Sequence, residues 1–385
     1  MKGKIIVSEA RQRDLTLDIV KAIGIFCMVA GHCGAPFKHF IYLFHMAIFF
    51  IASGYCYKER NSTDVKSVAH FIKRKVITLW FPYVLWTAIY SLLHNFFISI
   101  NVYTDNSLLL KYVSGKHIGT VELWSFEDMA KNIVKAMFLH GGTQMGAAFW
   151  FLATLMEISV AYCVIDFLLK ILFKQNSKRT FVAQWIISIL FLIIGFLLYR
   201  LDYSLAGLNR VFSFYILFHG GFTVMKYGWS SKERKNTIHL VILLIAFVTL
   251  LFCNNIGSIS LDLNSYVNPI YFLIVSFMGW QFLYEIAFLI QKIPKLKNLM
   301  VCIGQNTLSI LILHFLCFKI VSYVGVLVNH QPLCLVAAFP ILYRKGAWWI
   351  DYTFVGLFIP VCLSLLWKKM ISQHKILPRK KEKEL

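Results

Sequence analysis

Residues 17–34 read LDIVKAIGIFCMVAGHCG, an apolar run that nonetheless holds Asp18, Lys21 and His32. Roughly 20 mostly apolar residues cross a hydrocarbon core, because each helical residue rises about 1.5 Å. Lipid offers no partner for free N–H and C=O groups, so such a run must fold as a helix. An ionisable group inside it costs several kcal/mol unless it is paired or faces a cavity. Lys21 and His32 stand 11 residues apart. Eleven steps of about 100° return to within about 20° of one direction, placing the two about 16 Å apart on one stripe. Asp18 lies one turn from Lys21, within i, i+3 reach. Two plainer roles stay open: Lys21 extending to the interface, and His32 hydrogen-bonding a neighbouring helix.

The rest of the chain has the same character. Of its 385 residues 58% are hydrophobic and 15% charged, with a mean hydropathy of +0.66, against about 25% charged in soluble domains. By the length rule ten spans are expected, at 17–35, 40–57, 76–98, 147–168, 181–200, 210–226, 238–255, 266–289, 302–324 and 348–367. The expected fold is therefore all-α and polytopic: a polar segment 1–16, a membrane domain 17–367 and a basic tail 368–385.

A net charge of +21 raises the question of nucleic acid, but the basic residues fall in short clusters between apolar runs, with no basic face or nucleic-acid motif. They read as topology instead. With the N-terminus cytosolic, 28 of the 39 Lys and Arg lie in inside segments and 10 in outside ones, Lys21 being within a span. Both termini are thus expected in the cytosol. The nine cysteines form no CxxC pair, which argues against a metal centre or a disulfide framework.

Further polar side chains interrupt the spans. The second reads FHMAIFFIASGY over 44–55; His45 is close enough in sequence to His32 for the imidazoles to share a cavity, while Ser53 and Gly54 suit close helix packing. The fourth, AAFWFLATLMEISVAY over 147–162, puts Trp150 and Glu157 on one face, seven residues apart. Glu157 is either a site residue or a structural partner for a cation, and Glu285 poses the same choice. The ninth, IGQNTLSILILHF over 303–315, is polar at one end, with His314 further along. Lys73, Arg74 and Lys75 stand just before the third span, as topology anchors or as phosphate contacts.

Together these residues resemble the acyltransferase-3 family of bacterial membrane O-acyltransferases, which acylate cell-surface polysaccharides and other envelope glycans. The family's Asp, Arg or Lys, and His in the first span match Asp18, Lys21 and His32. Its Phe-rich Ser-Gly span is similar to FHMAIFFIASGY. Its basic run before Pro-Tyr is similar to KRKVITLWFPYVLW over 73–86, its Trp-Phe-Leu to Trp150, Phe151 and Leu152, and its Gly-x-Asn-Ser/Thr-Leu with a later His to residues 304–314. Position 21 is Lys where many members have Arg, which keeps the charge and loses the bidentate fork.

The resemblance implies a multi-pass protein of the cell (inner) membrane. It implies an acyl-CoA donor, acetyl-CoA by default, whose phosphates lie near Lys21 and the Lys73–Lys75 cluster. His32 would be general base or acyl acceptor, His45 or Trp150 an oxyanion donor, and Glu157 and His314 further substrate contacts. No metal is expected; the acceptor is a hydroxyl of an envelope glycan or lipid-linked sugar. A transporter or exporter of a glycolipid or saccharide is the competing expectation. Internal repeats and matched broken helices are frequent in transporters, and the sequence has neither.

Overall fold

Polar residues at the ends of the apolar runs set where the helices begin. Asp14 accepts a hydrogen bond from the Thr16 amide and starts α1 (Leu15–His32), and Asn176 and Asn268 cap the helices that begin at Ser177 and Pro269 in the same way. The computed structural model describes residues 14–106, 121–205, 207–230 and 233–376. Most of the expected segment 1–16, part of the stretch between the third and fourth expected spans and the end of the tail 368–385 lie outside them.

After α1 come α2 (Lys38–Tyr42), α3 (Ala47–Tyr55), α4 (Val65–Lys75), a π-helical turn (Val76–Trp80), α5 (Phe81–Leu92), α6 (His94–Ser99) and α7 (Phe126–Met137). They are followed by α8 (Trp150–Leu172), α9 (Ser177–Arg200), α10 (Asn209–Lys226), α11 (Asn236–Asn254) and α12 (Pro269–Ile290). The last three are α13 (Pro294–Gly304), α14 (Thr307–Val328) and α15 (Trp348–Ile376). Among the described residues there is no strand, only an isolated bridge between Ser260 and Ser265. The architecture is all-helical, as the apolar runs require.

Among the described residues seven helices are long and apolar enough to cross a membrane: α1, α8 with its lead-in, α9, α11, α12, α14 and α15. The other three expected spans take different forms. Residues 40–57 are split between α2 and α3 by a turn at Leu43–Met46, and 76–98 are divided among the π-turn, α5 and α6. Residues 210–226 do form one helix, α10, buried from Val211 to Val224 at almost every position.

Burial sorts the long helices into centre and periphery. α1 and α14 are mostly inside, whereas α9 and α11 turn most of their surface outward. The outward side chains of α9 are Val182, Ile186, Ile189, Leu190, Ile193 and Leu197, each about half exposed. In water that stripe would be costly at about 25 cal/mol per Å²; against lipid tails it costs nothing.

Two devices hold the centre together. Gly54 on α3 meets the Phe218 carbonyl of α10, and Gly221 on α10 meets the Ile51 carbonyl of α3, so a methyl group at either site would strike backbone. Phe49 and Phe50 of α3 then clasp Phe151 of α8, with ring centroids 5.5 and 5.3 Å apart. Beyond α3, Lys170 of α8 is paired with Asp166 at 2.9 Å and donates to the Glu59 carbonyl and the Ser62 hydroxyl, both at 2.7 Å. Ser62 and Tyr57 in turn donate to Asp166 at 2.5 and 3.2 Å. This buried network ties the 57–62 turn to α8.

Candidate active site

One face of α1 supplies the axis of the site. Leu17, Lys21, Ile25, Met28 and His32 follow one another at intervals of three or four residues, so they share a stripe. Lys21 is paired with Asp18 at 2.8 Å, as the i, i+3 spacing predicts, and Asp18 is itself buried.

At the His32 end the stripe opens into a cavity of about 520 Å³. His32, Lys38, Tyr42, His45 and Trp150 line it, with Asp262 and Arg344 from later loops. His32 and His45 do share one chamber. The His32 ring lies against His314, centroids 5.5 Å apart and nearly parallel, and against Phe315 at 5.0 Å. His314 backs the catalytic candidate from outside the cavity lining. Its Nδ1 lies 3.0 Å from the Ile310 and Leu311 carbonyls. Carbonyls only accept, so Nδ1 carries the proton and Nε2 is left as a buried lone pair without a partner.

His45 is held in the same way. Its Nδ1 donates to the Ile41 carbonyl at 3.1 Å, and its ring stacks on Tyr42 at 4.8 Å. Tyr42 can lie flat on α1 because Gly31 has no side chain to meet it. With Nδ1 committed to a carbonyl, neutral His45 keeps an acceptor at Nε2. It suits holding a hydroxyl proton rather than donating to an oxyanion.

Aromatic and charged groups fix the rim. Arg210 lies over the Trp150 ring, 5.0 Å from its centroid, and donates to the Asp262 carbonyl from Nε at 2.9 Å. Lys38 lies over Tyr42 at 4.9 Å. Lys319, buried on α14, donates to the Val336 and Ala338 carbonyls at 3.0 and 2.7 Å. It thereby pins the segment whose next residues, Phe339, Pro340 and Ile341, wall the chamber.

At the Lys21 end the stripe borders a second cavity of about 260 Å³. Its wall is largely apolar, with Lys21, Ser53, Cys56, Thr78 and Thr307 as the polar members. Thr78 and Leu79 enter from the π-turn. Pro82 explains that turn: it has no N–H to give the Thr78 carbonyl four residues back, so the helix widens. Of the basic triplet only Lys75 points here, donating to Ser53 at 3.2 Å. Lys73 and Arg74 are exposed. Half-buried Lys75 has its amine pushed down to about 8, first by burial and then by Arg74 beside it.

Glu157 stands apart from both chambers. It lines a side recess of about 290 Å³ with Tyr83, His140, Thr143 and Arg210, separated from the His32 chamber by the shared wall residues Ala147 and Trp150. Glu285 is a structural partner, buried against His239 and Gln281 with Arg234 at 3.7 Å. Met28, Met46, Lys38, Tyr42, Asp262 and Arg344 line the chambers beyond the residues expected from the sequence. Lys38 and Tyr42, a few residues before His45, and Met46, directly after it, had a signal in their position.

A family model described as an acyltransferase domain matches residues 14–368 of this chain. No curated protein and no solved structure matches it.

Proposed function

Because this chain belongs to the acyltransferase domain family, and is accordingly a membrane acyltransferase, we propose that its two chambers divide one reaction, with a thioester donor at the Lys21 end and a hydroxyl acceptor at the His32 end. The observation that carries this reading is the single stripe of α1, which borders the Lys21 cavity below and the His32 cavity above. A cation beside a narrow apolar slot suits a phosphorylated head with a linear arm, as in an acyl-CoA. Lys21 and Lys75 hold the phosphates, and acetyl is the simplest acyl group to fit. An aromatic and charged chamber suits a sugar hydroxyl, from a cell-envelope glycan or a lipid-linked saccharide. Both chain ends are assigned to the donor side, where the basic clusters concentrate.

The chemistry follows from the imidazoles. His32 takes the acceptor's hydroxyl proton as its oxygen forms a bond to the thioester carbonyl. The tetrahedral intermediate then breaks its C–S bond, and the departing thiolate receives the proton. The products are an ester and a free thiol. In the two-step variant His32 carries the acyl group itself before the hydroxyl attacks. His314 keeps the His32 ring in place from behind, and His45 orients the acceptor hydroxyl.

His32→Ala is the test. The protein should still insert and keep its thermal stability, while acyl transfer from radiolabelled acetyl-CoA to membrane glycans falls by about 10²–10⁴-fold, the contribution of a positioned base. Transfer at the wild-type rate would remove His32 from the mechanism. Glycan flux across liposomes without modification would favour the exporter.

A further inference from the structure

The two chambers touch at two side chains. Met28 on α1 and Met46 ahead of α3 line both cavities, and no other described residue does. Both are buried, at 1% and 7% exposure. Met28 lies one turn from His32 on the stripe, and Met46 follows His45 directly. Each wall residue therefore adjoins one imidazole of the outer chamber.

The chemistry of that wall is unusual for the place. Its neighbours in the core are stiff: Ile25 and Ile48 are β-branched and at 2% and 0% exposure, with χ1 confined by the helix. Methionine is unbranched, with three rotatable bonds, and moves between rotamers at low cost. A wall of two thioethers can part without shifting either helix.

We propose that Met28 and Met46 form a movable partition that parts for the linear arm of the thioester and sets which acyl groups reach His32. The proposal rests on the donor entering from the Lys21 end. A short acyl group passes between the thioethers and leaves them close around the arm. A longer chain stays in the apolar lower slot, where Leu152, Leu155 and Leu311 hold it, and its carbonyl stops short of the imidazole. The same closure keeps water of the outer chamber away from the thioester until the arm is in place.

The experiment uses inverted membrane vesicles from cells producing the full chain, which supply the natural acceptor, with vesicles lacking the protein as blank. Acetyl-, butyryl- and hexanoyl-CoA, labelled in the acyl group, are compared by label in the glycan and lipid fractions. The wild type should transfer acetyl and discriminate against hexanoyl. Met28→Ala and Met46→Ala should raise the hexanoyl-to-acetyl ratio at least about tenfold, the scale of a change of a methylene or more in an apolar pocket. Met28→Ile and Met46→Ile keep the volume but stiffen the wall, and should lower kcat for every donor with donor KM unchanged. Thermal unfolding in detergent identifies any variant lost to misfolding, and the Ile pair then decides. Wild-type ratios in the Ala variants, with wild-type kcat in the Ile variants, would overturn the partition while leaving the donor reading intact. A wild-type protein that transfers no acyl group from any thioester would overturn both.

Discussion

His32, Lys21 and Lys75 come from two helices, yet in the proposed reaction they mark the ends of one path. The charge of Lys75 changes within reach of an assay. Its amine is lowered to about 8 by burial and by Arg74, so the cation is present below that value and is lost as pH rises through it. Donor KM should therefore climb above about pH 8. Lys75→Arg should abolish the climb, since guanidinium stays charged; a persistent climb would assign it to another group. Much at this scale was legible, because a 3.6-residue period fixes which side chains of α1 share a direction. Met28 was not, since a methionine inside an apolar run has the same signature whether it fills a core or walls a chamber. Asp262 and Arg344 were hidden for a different reason: they reach the site from loops more than 200 residues from His32, through packing that no local pattern encodes.

Helices α3, α8 and α10 form the rigid seat of the site, and the buried Lys170–Asp166 network is their fastening to the 57–62 turn. Lys170→Met leaves a buried carboxylate without its cation, which costs about 3–5 kcal/mol. The variant should unfold at markedly lower temperature in detergent, while its donor KM, measured well below its unfolding temperature, stays near wild type. An unchanged unfolding temperature would mean that Tyr57 and Ser62 satisfy Asp166 alone. Element identity followed from the length of the apolar runs, and seven of the expected spans reappear as helices fit to cross a membrane. The break at Leu43–Met46 did not announce itself, since no Pro or Gly stands there. At that break Tyr42 and His45 stack against each other beside the chamber. The π-turn could have been suspected from Pro82, whose missing amide is readable in the sequence.

At the scale of the whole molecule, the proposed reaction runs from the Lys21 end to the His32 end, with the two substrates approaching along opposite directions. The donor side carries most of the positive charge by the expected topology, which favours anionic thioesters over neutral ones at low salt and should weaken as salt screens it. Donor kcat/KM is expected to fall between 50 and 500 mM salt, with acceptor kcat/KM little changed. Equal losses for both substrates would contradict separate approaches. The meeting of the chambers at two residues has a kinetic corollary. If spent thiol leaves by the way the proposed donor enters, it should behave as a product inhibitor competitive toward the thioester and noncompetitive toward the sugar. An enzyme so arranged is throttled by its own leaving group on one face of the bilayer only, and its rate reports the ratio of charged to discharged carrier there, whatever the supply of acceptor on the other.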